Sequence, residues 1–121
     1  MMKTANYVSL ATFRRDGRKV ATPVWFAESE GDFYIFSAGE AGKVKRLRNS
    51  SRAELAECDV RGKLLGDWHA AEAELIEGED VQQALKLLRA KYGWQMWLAD
   101  VGSKLTGKFD RRAYIRARLL P

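Results

Sequence analysis

The run Tyr7-Val8-Ser9-Leu10-Ala11-Thr12-Phe13, followed by Arg14-Arg15-Asp16-Gly17-Arg18 and then Lys19-Val20-Ala21-Thr22-Pro23-Val24-Trp25-Phe26-Ala27-Glu28, decides the fold class. The first stretch mixes β-branched and aromatic residues, which suit a pleated, half-buried surface. Asp16-Gly17 is a strong short-range hairpin signal. The second stretch puts Val20, Thr22, Val24 and Phe26 on one strand face and Ala21, Pro23, Trp25 and Ala27 on the other. Pro23 has no N–H for a ladder, which predicts an edge or a bulge there.

Working outward, Ser29-Glu30-Gly31-Asp32 reads as the next turn and residues 33–38 as a third strand. Residues 41–49 form a short basic helix with a narrow apolar edge, Val44 and Leu47. Residues 53–60 return to strand, and Gly62 and Gly66 bracket a turn. Residues 68–76 alternate, with Ala71, Ala73 and Leu75 against Glu72 and Glu74. In 80–92, Val81, Ala84, Leu85, Leu88 and Tyr92 recur at helical spacing. Asp80 with Gln83 three residues on matches a capping box, and Gly93 can stop the helix. Residues 94–109 are ambiguous between helix and loop. Residues 113–119 form a last strand, with Ile115, Ala117 and Leu119 inward and Arg116 and Arg118 outward. The sum is mainly β: a six-stranded antiparallel barrel with two or three short helices. So small a barrel encloses little volume, so a ligand would bind at its surface or between two copies.

The 121 residues fit a single domain, 1–121. Charged residues make up 31% and are mixed in sign, which argues against disorder. The longest apolar run, 20–27, is far short of the roughly 20 residues of a membrane helix. Met1 to Asn6 holds no signal-peptide core. Cys58 is the only cysteine, so no internal disulfide forms. A cytoplasmic protein without a membrane partner is expected. The net charge of +5 favours an anionic partner without choosing among nucleic acid, membrane and phosphorylated small molecule.

The segment Ser37-Ala38-Gly39-Glu40-Ala41-Gly42-Lys43-Val44-Lys45-Arg46-Leu47-Arg48 carries the functional signal. A glycine-rich loop lets backbone N–H groups approach a ligand. A helix starting near Ala41 or Gly42 would aim its unpaired N–H groups and positive dipole end at the same spot. Lys43, Lys45 and Arg46 add full charges. Taken alone, the segment reads as a solvated helix face; Ser37 and the two glycines shift it toward a phosphate seat. Trp25 stands opposite the Val24/Phe26 face, free to be core or to meet a planar heterocycle or a partner subunit. Tyr92, Trp94 and Trp97 read first as core, with a dimer contact or pocket cover as the alternatives. Lone His69 has no companions for a zinc site. Cys58 reads as a small buried hydrophobe. No nucleophile elbow, dinucleotide fingerprint or Walker motif is present. With no protein-borne catalytic apparatus, an enzyme here would rely on a cofactor. Aromatics are not interleaved with the basic run, which argues against a nucleic-acid platform.

Residues 7–18, 20–26 and 42–48, with Cys58-Asp59-Val60-Arg61-Gly62 and Lys91-Tyr92-Gly93-Trp94, resemble the pyridoxamine-phosphate-oxidase-like split β-barrel superfamily. Within it they are most similar to the branch of coenzyme F420-dependent enzymes. The resemblance implies a homodimer with flavin or deazaflavin sites at its interface and a small-molecule substrate. It implies that the coenzyme ring lies along Thr22, Pro23, Val24 and Trp25, and that Ser37, Lys43, Lys45 and Arg46 hold its phosphate. It further implies that Trp68 reaches the ring from the partner subunit. Coenzyme F420 is the first expectation and FMN the alternative, as an enzyme or as a carrier without turnover. Relatives carry a helix before the first strand; here only Met1 to Asn6 precede Tyr7, so that cover over the pocket is not expected.

Overall fold

The computed structural model describes residues 5–39 and 41–121; the N-terminal reading of residues 1–4, and Glu40 of the basic loop, lie outside them. Strands β1 (Tyr7–Phe13) and β2 (Lys19–Val24) form the expected hairpin. Gly17 takes φ 89°, and its N–H donates to the Arg14 carbonyl at 2.9 Å. Asp16 accepts from the Arg18 backbone N–H at 3.0 Å, which closes the turn.

The second strand does not run on to Glu28. It breaks at Trp25 into β2 and β3 (Phe26–Ser29), so the described residues form seven strands rather than six. The sheet order is β2-β1-β5-β6-β7-β4-β3, where β4 is Asp32–Ala38, β5 Arg52–Cys58, β6 His69–Ile76 and β7 Arg112–Leu119. All neighbours pair antiparallel. The two outermost strands, β2 and β3, are therefore consecutive in the chain. One continuous strand could not pair with β1 on one side and β4 on the other without a corner. The sheet curls toward itself and stays split at Trp25, a split barrel. Pro23 sits on edge strand β2, where its missing N–H costs no ladder bond.

The alternation read from the sequence survives the corner and defines two cores. Val24 and Phe26 point into the barrel with Val8, Leu10, Ile35 and Ile115. Trp25 and Ala27 point outward, into a second cluster with Tyr34, Leu88, Tyr92 and Met96. Helix α1 (Gly42–Asn49) buries Val44 and Leu47, as its narrow apolar edge predicts. Helix α2 (Glu79–Tyr92) covers the second cluster with Ala84, Leu85, Leu88 and Tyr92. No capping box forms: Gly78, at φ 63°, precedes the helix, and no side chain caps it. Asp80 turns instead toward Arg116, at 3.5 Å. Gly93 ends α2 as expected, its N–H donating to the Arg89 carbonyl at 2.9 Å.

The ambiguous residues 94–109 form a third helix, α3 (Trp94–Leu105), leading to a 3-10 turn (Phe109–Arg111). Only Tyr92 of the aromatic trio is core. Trp94 and Trp97 are 70% and 62% exposed, because Met96 and Asp100 take the inward face of α3. Tyr92 secures the corner: its hydroxyl accepts from the Phe26 N–H at 3.0 Å and donates to the Asn6 carbonyl at 2.8 Å.

Lys91 adds a pH signature at the same corner. Its Nζ donates to the Phe26 carbonyl at 2.8 Å and lies 3.5 Å from the Phe26 ring centroid. Burial pushes this amine down to about 8, with Glu28 pulling the other way. Between there and the ordinary lysine value the unfolded chain binds more protons, so stability rises with pH across that window. The expected result is a urea midpoint that climbs more from pH 8 to 9 in the parent than in Lys91→Met. Parallel pH profiles in the two proteins would remove Lys91 as the cause.

Candidate functional site

β4 delivers the chain to α1 through Ser37, Ala38 and Gly39. Ser37 is buried, and its hydroxyl accepts from Lys43 Nζ at 3.4 Å. The loop runs close to the 3-10 turn, where a side chain at Gly39 would collide with the Arg111 carbonyl oxygen. Ala41, extended at φ −61° and ψ 148°, precedes α1 with no side-chain cap, and the first turn has no acid. The start of α1 therefore carries no capping or acidic side chain among the described residues. Burial, and then the Arg46 charge, lowers the Lys43 amine from its ordinary value.

Arg46 folds back across the start of α1. Its Nε donates to Thr12 Oγ1 at 2.6 Å, and its guanidinium lies against Gly42. Burial and the Arg14 charge lower its pKa. Arg46 and Lys45 share a cleft of about 440 Å³ with Arg14 and Arg15 of the first hairpin loop. The structure therefore places Lys43 with Ser37, and Lys45 and Arg46 on the hairpin side of the same helix start. A second cavity of about 230 Å³ adjoins the Ser37 side and is lined by Gly39, Ser103 and Lys108. Among the described residues, no carboxylate forms an ion pair with Lys43, Lys45 or Arg46. Thr12, Arg14, Arg15 and Lys108 were not singled out in the sequence. Arg14-Arg15 was visible as charge, but nothing local places the end of β1 beneath α1.

The residues expected to meet a coenzyme ring lie along β2 and its corner. Among the described residues β2 pairs with β1 alone, so its outer edge keeps backbone groups outside the ladder. Thr22 is half-buried with an unpartnered Oγ1, Pro23 is exposed, and Val24 turns its side chain into the barrel. Trp25 stacks on Tyr92 with ring centroids 4.5 Å apart and an interplanar angle of 10°. That packing fixes the indole and occupies one of its faces. Trp68 does not meet Trp25 within one chain. It lies beneath Lys19 Nζ, 3.8 Å from the ring centroid, at the far end of β2. The two ends of β2 are roughly 17 Å apart at strand rise. The cationic cluster and Trp25 therefore mark opposite ends of one open strand edge.

Other groups are quiet. Cys58 is buried, and burial followed by Asp59 raises its thiol pKa. Among the described residues, no cluster of three or more His, Cys, Asp or Glu could hold a metal ion, and no helix is long and apolar enough to cross a membrane.

These features are those of a split-barrel protein of the pyridoxamine 5'-phosphate oxidase class. Residues 1–117 match the family model described as Pyridoxamine 5'-phosphate oxidase, and the chain belongs to that family. None of the curated proteins compared with it matches. Among solved structures, it resembles the heme storage protein HutZ of Vibrio cholerae at TM-score 0.74 and 13% identity, covering 98% of this chain and 84% of that one. A heme binding protein from Mycobacterium smegmatis matches at TM-score 0.66 and 16% identity, over 97% of this chain and 49% of that one. A candidate pyridoxamine 5'-phosphate oxidase from Listeria innocua matches at TM-score 0.62 and 16% identity, over 98% and 91%. At these identities the likeness is one of fold.

Proposed function

We propose that the chain is an oxidoreductase that binds a flavin-type coenzyme, coenzyme F420 first and FMN as the alternative, and acts on a small organic molecule. The carrying observation is the uncapped start of α1, with Lys43 against Ser37 on one flank and Arg46 against Thr12 on the other. Cationic side chains that form no ion pair with a carboxylate among the described residues, gathered at a helix N-terminus, suit a phosphoryl group. Ser37, Lys43, Lys45 and Arg46 would hold it. Thr22, Pro23 and Val24 would offer the open edge of β2 to the ring's polar atoms. Trp25, held by Tyr92, would bound the ring site, and Trp68 of a second copy would close it. The coenzyme would supply hydride chemistry; the protein's part is to bind, orient and exclude water. A homodimer belongs to this reading, since Trp25 and Trp68 of one chain lie at opposite ends of β2.

The test is a titration of apo protein with coenzyme F420, FMN and heme side by side. Each charge-assisted hydrogen bond contributes roughly 1.5–3 kcal/mol. Lys43→Ala/Lys45→Ala is therefore expected to weaken coenzyme binding by about 100-fold or more. Unchanged affinity in the double variant would refute this phosphate placement. Binding of heme alone, the ligand in the description of HutZ, would refute the coenzyme reading.

A further inference from the structure

Helix α1, the start of α2, the 3-10 turn and the start of β7 border a cavity of about 490 Å³ that the candidate site does not use. Val44 of α1, Val81 and Leu85 of α2 and Phe109 of the 3-10 turn line it with apolar side chains. Tyr114 of β7 lines it too and is only 7% exposed. The Tyr114 hydroxyl is buried and has no hydrogen-bond partner among the described residues. Its neighbours across the sheet, Phe36 of β4 and Ile76 of β6, carry no polar side chain. Ala84, Leu85 and Leu88 of α2, buried in the same cluster, are apolar as well. Buried hydroxyls nearly always have a partner. A phenylalanine would fill the same place without stranding an O–H group. The hydroxyl therefore calls for a partner that the fold around it does not supply.

We propose that this cavity binds a small uncharged molecule with an apolar ring body and one hydroxyl or carbonyl group, which pairs with the Tyr114 hydroxyl. Apolar walls with a single well-placed polar group are the usual make-up of a small-molecule site. A phenolic O–H both donates and accepts, so either group on the ligand satisfies it. The charges around the cavity set the class. Arg112 borders it but is already held by Asp100 at 2.8 Å. That leaves Arg48 against Glu77 and Asp110, all three exposed. This balance gives an anion no net attraction, and exposed charges are screened by salt, so a cation gains little. An uncharged ligand loses nothing by entering. The cavity is also separate from the proposed phosphate seat. Val44 and Arg48, one turn apart on α1, border it, whereas Lys43, Lys45 and Arg46 do not. The site needs no coenzyme, so it stands or falls independently of the proposed function.

Isothermal titration calorimetry of the full chain with 2-naphthol at pH 7, where that probe is uncharged, tests the site. The parent is expected to bind 2-naphthol, and more tightly than the anion 2-naphthoate. Tyr114→Phe is expected to weaken 2-naphthol binding about fivefold, the worth of one neutral hydrogen bond. Its urea midpoint is expected to be no lower than the parent's, since no bond within the chain is lost. Val81→Trp, which fills the cavity from α2, is expected to abolish measurable binding with unchanged far-ultraviolet circular dichroism. Lys43→Ala/Lys45→Ala is expected to bind the probe as the parent does. A parent that takes up no 2-naphthol would overturn the proposal, as would unchanged affinity in Tyr114→Phe. A lower urea midpoint in Tyr114→Phe would show that the hydroxyl already has a partner and overturn it too. Tighter binding of 2-naphthoate would overturn the uncharged class. Loss of binding in the double lysine variant would move the probe to the phosphate seat and overturn the separate site.

Discussion

Replacing Asp100 with alanine is expected to lower the free energy of unfolding by about 3–5 kcal/mol, the usual result of stranding a buried charge. Asp100 is buried on the inner face of α3 and serves two arginines. Its Oδ2 accepts from Arg89 Nε at 3.0 Å, and its Oδ1 from Arg112 NH1 at 2.8 Å. Arg112 is the vulnerable partner, with a side chain only 5% exposed. Its guanidinium also donates to the Ala99 carbonyl at 3.0 Å and to Ser103 Oγ at 2.8 Å, and lies against the Phe36 and Phe109 rings. Without the carboxylate, that charge remains out of water among apolar groups. The pair is the tie between α2, α3 and the start of β7. Asp100→Leu combined with Arg112→Leu is expected to cost less than Asp100→Ala, because no charge is then stranded. Urea unfolding of the three proteins checks the order. A single-variant loss below about 1 kcal/mol, the scale of an exposed ion pair, would show that the pair does not hold the helices.

Phe26→Ala is expected to cost a similar amount, about 3–5 kcal/mol, as large-to-small changes of buried aromatic residues do. Phe26 is fully buried in the barrel beside Phe33, with ring centroids 5.7 Å apart. It is also the first residue after the split. Its backbone N–H and carbonyl meet the Tyr92 hydroxyl, and its carbonyl also takes the Lys91 amine. The substitution leaves those backbone bonds available but removes the ring beneath the lysine. Part of the loss is therefore expected to be pH-dependent, because the ring that covers the Lys91 amine is removed. Thermal and urea unfolding at pH 7 and 9 measure both parts. A loss under 1 kcal/mol would mean that the barrel collapses around the cavity and that the corner carries little of the stability.

Much of this architecture was legible because the period of the sequence matches the period of the structure. β1 was bounded correctly, and the alternation across 19–28 assigned Val24 and Phe26 to one core and Trp25 and Ala27 to the other. The seventh strand was not legible. Residues 19–28 have an unbroken strand pattern, and the corner at Trp25 arises only because β1 and β4 claim opposite ends of the segment. Helix α3 was obscured for a related reason. Its apolar residues lie mostly on the outer face, so the pattern that normally marks a helix against a core pointed the wrong way. At the candidate site, the basic segment and its glycines were readable as local chemistry. The contribution of the hairpin arginines was not, since Arg14 and Arg46 are far apart in sequence and meet through the packing of α1 over the end of β1.

The sequence by itself determined the strand and helix periods, the Asp16-Gly17 hairpin, the burial of alternate residues and the concentration of positive charge after β4. Those are local properties, set by backbone sterics and by which side chains leave water. Only the tertiary structure decided where the sheet splits, which cations share the start of α1, and that Trp94 and Trp97 face outward. Each of these depends on which of several locally equivalent partners an element meets, and that choice is made by closing the barrel around one interior.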